Sequence, residues 1–83
     1  MEYYLLTTRT VTQAQRMQQV LERGGIRAGV QRLPSGLSQQ GCAYGVRVRP
    51  ADGERAVGLA RAAGMRPQRV FVYEKNGFRE VTV

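Results

Sequence analysis

The chain predicts an α+β domain in which two helices cover one face of an antiparallel sheet, in the order β-α-β-β-α-β with one further strand. Three observations carry this. Short segments alternate apolar and polar residues with the period of a strand. Two longer segments repeat apolar residues at helical spacing and end in glycine. An Asn-Gly pair near the end, Asn76-Gly77, is a strong hairpin signal.

Each element follows in order. Residues 2 to 8, Glu-Tyr-Tyr-Leu-Leu-Thr-Thr, are aromatic and β-branched enough for a strand. Tyr3 and Leu5 point one way and Tyr4 and Leu6 the other, so both faces are apolar and the strand belongs in the middle of a sheet. Thr10-Val11-Thr12-Gln13 has the form of a reciprocal cap, opening a helix from Val11 to Arg23 whose inward residues are Ala14, Met17, Val20 and Leu21. Gly24-Gly25 stops it.

Ile26 to Leu33 alternates again as a second strand, closed by Pro34. The segment from Pro34 to Gly41 is rich in turn formers and reads as an irregular loop. Ala43 to Arg49 is the third strand, with Tyr44, Val46 and Val48 inward. Asp52 is placed to cap a second helix with a stripe of Ala56, Leu59, Ala60 and Ala63, stopped by Gly64. After Pro67, Val70 to Tyr73 forms a fourth strand, and Phe78 to Val83 returns from the Asn76-Gly77 turn as a fifth. This order is the ferredoxin-like split arrangement.

With 83 residues the chain has room for one hydrophobic core, so residues 1–83 read as a single ferredoxin-like domain. No apolar run approaches the ~20 residues that a membrane-spanning helix requires, and the start lacks a leader pattern. A cytoplasmic protein without membrane attachment is expected. The net charge is +7, and twelve of the thirteen cationic residues are arginine. That balance favours anionic partners, nucleic acid among them, while the even spread of the arginines names none.

The residue inventory excludes several chemistries. The chain has no histidine, which removes Ser-His and Cys-His catalysis and histidine-ligated metals. Of its six carboxylates only Asp52 and Glu54 form a close pair, and a first helical turn explains both. No phosphate-binding glycine loop and no dinucleotide fingerprint is present. No metal and no cofactor is expected.

One covalent nucleophile is left, the single cysteine, Cys42. It lies between the polar loop and the third strand, in Gly41-Cys42-Ala43-Tyr44-Gly45, where small neighbours leave a sulfur approachable. A thiolate is the attacking form, and nearby cations or backbone amides favour it. Arg47 on the following strand, Arg32 at the end of the preceding one, the Gly41 amide and Ala43 are the candidate surroundings. An inert, space-filling thiol is the alternative.

At these residues the chain resembles a family of small bacterial proteins described as selenium/sulfur carrier protein-like. The resemblance spans about residues 3 to 73. Its landmarks are Tyr4-Leu5-Leu6-Thr7, Thr10-Val11-Thr12-Gln13-Ala14, Gly25-Ile26, Leu33-Pro34 and Leu37-Ser38, followed by Gly41-Cys42, Val46-Arg47-Val48, Pro50 and Ala63-Gly64. Ala43 departs from the glycine common at that place in the family. The resemblance implies a carrier that holds sulfur or selenium on Cys42 as a persulfide or selenopersulfide, without turnover of its own. Its partners would be a donor protein of the cysteine desulfurase type and an acceptor.

Two other readings compete. The element order is shared with RNA-recognition modules, whose first and third strands present aromatic residues to bases, here Tyr4 and Tyr44. Cys42 and Gly45 occupy positions where that signature expects an aromatic and an apolar residue. Alternatively the protein is a non-catalytic accessory subunit or homodimer, in which Tyr4 and Leu6, taken to face away from the helices, are buried against another copy.

Overall fold

In the computed structural model, which describes residues 2–37, 43–75 and 77–81, β1 (Tyr3–Thr8) is the middle strand of five. The others are β2 (Ala28–Arg32), β3 (Tyr44–Val48), β4 (Val70–Glu74) and β5 (Gly77–Val81). The sheet order is β2-β3-β1-β4-β5, and each neighbouring pair is antiparallel. Two helices, α1 (Val11–Arg23) and α2 (Gly53–Ala62), pack on one face. This is the ferredoxin-like order with one strand added beside β4, as the alternation of apolar residues predicts.

α1 starts where the threonine-glutamine pair places it. Thr10 Oγ1 accepts from the Gln13 amide at 3.1 Å, and Gln13 Oε1 reaches back to accept from the Arg9 amide at 3.1 Å, one residue before the Thr10 amide that a capping box uses. Both helices stop in the same way. Gly25 and Gly64 take φ of 86° and 75°, a conformation that a side chain disfavours. The chain then folds back so that Ile26 N donates to Leu21 O and Met65 N to Ala60 O, at 2.9 and 2.8 Å.

α2 begins differently from expectation. A short 3-10 turn, Pro50–Asp52, precedes it, and Asp52 makes no side-chain cap. Its carboxylate instead accepts from Nε and Nη2 of Arg49, each at 3.2 Å. The turn has already bent the backbone at Asp52, and the guanidinium three residues earlier supplies a charged donor that a neutral amide does not match. Inward, Ala56, Val57 and Ala60 are buried with Gly53, so Val57 takes the place expected of Ala63, which is exposed.

The larger core lies between helices and sheet, where Leu6, Met17, Leu21, Val46, Val48 and Val57 are buried. Tyr4 and Tyr44 pack against it. The expectation that Tyr4 and Leu6 face away from the helices is therefore corrected: both lie beneath them. Tyr3 and Leu5 occupy the other face. There Leu5, Leu33 and Phe71 form a second buried cluster with Tyr3, Leu37 and Phe78 against it. Among the described residues no helix is long and apolar enough to cross a membrane.

Candidate functional site

Cys42 and Gly41 lie outside the described residues; the residues that flank their loop are well defined. β2 and β3 pair from Ala28↔Val48 to Arg32↔Tyr44. One step further, Leu33 N donates to Ala43 O at 3.0 Å. Ala43 N in turn donates to Thr8 O at 3.3 Å. The residue after Cys42 is thus tied both to the end of β2 and to the end of β1.

The entrance to the loop is held by packing. Leu33 is 8% exposed and belongs to the cluster of Leu5 and Phe71 on the open face of the sheet. Pro34 accepts from the Leu37 amide at 2.9 Å, closing a 3-10 turn over Ser35–Leu37, and Leu37 packs on the same cluster. Gly45 makes room beneath: a Cβ there would stand 2.8 Å from Leu5 and 3.2 Å from Leu33. Thr8 is the positioning residue that sequence reasoning did not single out, and Leu33 and Gly45, quoted there as a landmark and a small neighbour, were not read as partners in packing. The signal for Leu33 was an apolar residue directly before Pro34, where a strand has already ended.

The two candidate arginines occupy different places. Arg32 pairs in register with Tyr44, and its guanidinium carbon lies 5.9 Å from that ring, a cation–π distance. It stands at the same end of the sheet as Ala43. Arg47 is four residues along β3 from Ala43, roughly 13 Å at the rise of an extended strand. Its guanidinium lies 5.8 Å from the Tyr3 ring, and Nη1 donates to Gln31 Oε1 at 3.0 Å. Ala43 itself is half-buried.

The pair Tyr4 and Tyr44 does not form a platform on the open face, since both belong to the helix side. The open face presents other aromatics. Tyr3 and Tyr73 are stacked with centroids 5.2 Å apart, and Phe78 meets Tyr73 at 5.0 Å. Among the described residues no group of three histidine, cysteine, aspartate or glutamate side chains is placed to hold a metal.

A split β-α-β domain whose single cysteine falls in the sequence between β2 and β3, directly before the tethered Ala43, defines the class of protein. Its family follows from comparison: the chain matches, over residues 3–72, the model of the family described as "Putative Se/S carrier protein-like", and belongs to that family. No curated protein matches the chain, and no solved structure does.

Proposed function

We propose that the protein carries sulfur or selenium on Cys42. The observation that supports this most directly is that the family match encloses the chain's one cysteine, the residue before Ala43, whose backbone is tied to Thr8 and Leu33. A donor protein of the cysteine desulfurase type presents a persulfide. The Cys42 thiolate attacks its outer sulfur, the donor's S–S bond breaks, and the donor cysteine leaves as a thiolate while Cys42 becomes the persulfide. The transfer is a displacement without net redox change. An acceptor nucleophile then takes the outer atom and returns Cys42 to a thiolate; selenium follows the same course.

A persulfide is anionic, and the charge near it matters. Arg32, which pairs across the sheet with Tyr44 next to Ala43, stands nearer to Ala43 than Arg47 does and on this reading supports the anion, with the Gly41 amide as a further donor. Arg47 contributes at longer range, where solvent and salt screen it. Loading the purified protein with a cysteine desulfurase and cysteine, followed by intact mass analysis, tests the proposal. One added sulfur on the native chain and none on Cys42→Ala is the expected result; an unchanged mass on the native chain overturns it.

One observation favours a second reading. The stacked Tyr3 and Tyr73 with Phe78 and Arg47 share the open sheet face of a chain with net charge +7, a combination suited to stacking the bases of a single strand. On this reading a fluorescent oligonucleotide binds in a salt-dependent manner. Tyr3→Ala and Tyr73→Ala weaken that binding, and Cys42→Ala leaves it intact.

A further inference from the structure

Away from the open face, a cleft of about 400 Å³ lies between α1 and the connection from α2 to β4. Its floor is the end of β1, Thr7 and Thr8, and its walls carry Arg16 on one side and Arg66 on the other. The size is within the range of small-molecule sites. The two arginines are far apart in the sequence, and the turn at Gly64, with φ of 75°, is what sends the chain back from the end of α2 toward α1.

Three features point to an anionic occupant. First, the lining contains two guanidinium groups and no carboxylate, and among the described residues neither Arg16 nor Arg66 has an ion-pair partner. Two unpaired cations facing one cleft repel each other, and an anion between them relieves this. Second, neutral donors surround them: Gln68 lines the cleft, and Gln13, whose Oε1 is occupied by the Arg9 amide, has its amide NH₂ group left to give.

Third, the floor is rigid. Thr7 N donates to Arg69 O at 2.9 Å, and Gln68 N donates to Thr7 O at 3.1 Å. The Arg69 amide donates to Thr7 Oγ1 at 2.8 Å, and Thr8 Oγ1 donates to Thr10 O at 3.0 Å. A site held in place in this way spends little on ordering when a ligand arrives. Met65, half-buried, also lines the cleft over the buried Met17, an adaptable apolar surface for an organic body.

We infer that this cleft binds a small phosphate monoester, its dianionic group between Arg16 and Arg66 and its organic part on Met65. Two planar forks match the several acceptor oxygens of a phosphate, whereas one would suffice for a carboxylate. The thioether surface is what separates an ester from the free ion. The site is independent of the carrier chemistry, although its floor residue Thr8 also receives the Ala43 amide.

The test is titration of the isotopically labelled full chain with phenyl phosphate at constant ionic strength, followed by amide and methionine-methyl NMR. Saturable shifts at Thr8, Gln13, Met17 and Met65 are expected. Arg16→Gln and Arg66→Gln each weaken binding about tenfold, as loss of a charge-assisted hydrogen bond does. Arg23→Gln, at the far end of α1, and Cys42→Ala bind as the native chain does. Both cleft arginines are exposed, so their substitution leaves the fold intact, which the amide spectrum verifies, and Arg16→Lys retains intermediate affinity. Shifts spread over all arginines, native affinity in either Arg16→Gln or Arg66→Gln, or inorganic phosphate binding as tightly as phenyl phosphate would each overturn the assignment.

Discussion

Gly53 and Gly58 both belong to α2, yet the same substitution has opposite expected consequences at the two. A Cβ at Gly53 would stand 2.6 Å from the ring of Tyr4, and the close ring atoms include the one next to Tyr4's own Cβ, so the side chain cannot simply swing its tip aside. Gly53→Ala is expected to destabilise by roughly 1–3 kcal/mol, the usual cost of overpacking. At Gly58 nothing lies within 4 Å, and alanine there removes only the conformational freedom that glycine has when unfolded. Gly58→Ala is expected to stabilise by about 0.5–1 kcal/mol, and thermal melts of the two variants check both signs. Tyr4 explains why residue-level reading missed its orientation. An alternation of period two divides β1 into two faces, but when both are apolar the period does not say which one the helices cover. The small residue opposite, Gly53, decides it, and that contact joins segments that are remote in sequence.

At the scale of elements, the caps and stops were legible because they are local chemistry. Thr10 with Gln13, and Gly25 and Gly64, each act within one turn of themselves. Thr10→Ala is expected to cost about 1 kcal/mol of stability, measurable by urea denaturation. Asp52 was read less well, because a cap residue with an arginine three positions before it has two possible donors and the sequence does not rank them. The β4–β5 hairpin carries two ion pairs, Arg69 with Glu80 at 2.5 Å and Arg79 with Glu74 at 2.8 Å. The hydrogen bond from Arg69 holds the Glu80 carboxyl below the ordinary value of 4.5, outweighing an opposing desolvation, and the Arg69 charge adds a smaller push in the same direction as the hydrogen bond. Because the folded-state value is the lower one, this contribution is complete above the unfolded value and fades as pH falls through the folded one. In a carbon-detected titration Arg69→Gln is expected to raise the Glu80 midpoint toward its ordinary value; an unmoved midpoint would remove Arg69 as the cause.

At the scale of the whole molecule, the sheet is apolar on both sides, and the smaller cluster anchors the cysteine loop. Leu33→Ala is expected to cost roughly 2–5 kcal/mol, as large-to-small changes in a core do. It also speeds hydrogen exchange at the Ala43 amide by more than at Val46 N, since the loop entrance loses its seat on Leu5. The strands on either side of Cys42 were legible as matters of composition and order, while Ser35–Leu37, expected to be irregular, forms a 3-10 turn and Cys42 itself lies outside the described residues. The sequence could not reveal the clamp formed by Thr8 and Leu33, which arises only when β1 and β2 pair on either side of β3, or the cleft shared by Arg16 and Arg66, which arises only when α1 and the α2–β4 connection settle on the same end of the sheet. The place of β1 bears on how the protein is made. Its neighbours on either side are β3 and β4, with Tyr4 opposite Val48 and Tyr3 opposite Tyr73, so the first of the five strands in the chain waits for the fourth before it has both of its companions. Until β4 has emerged, an oily segment with two sticky sides waits in the nascent chain, and that interval is when a chaperone has most to offer this molecule.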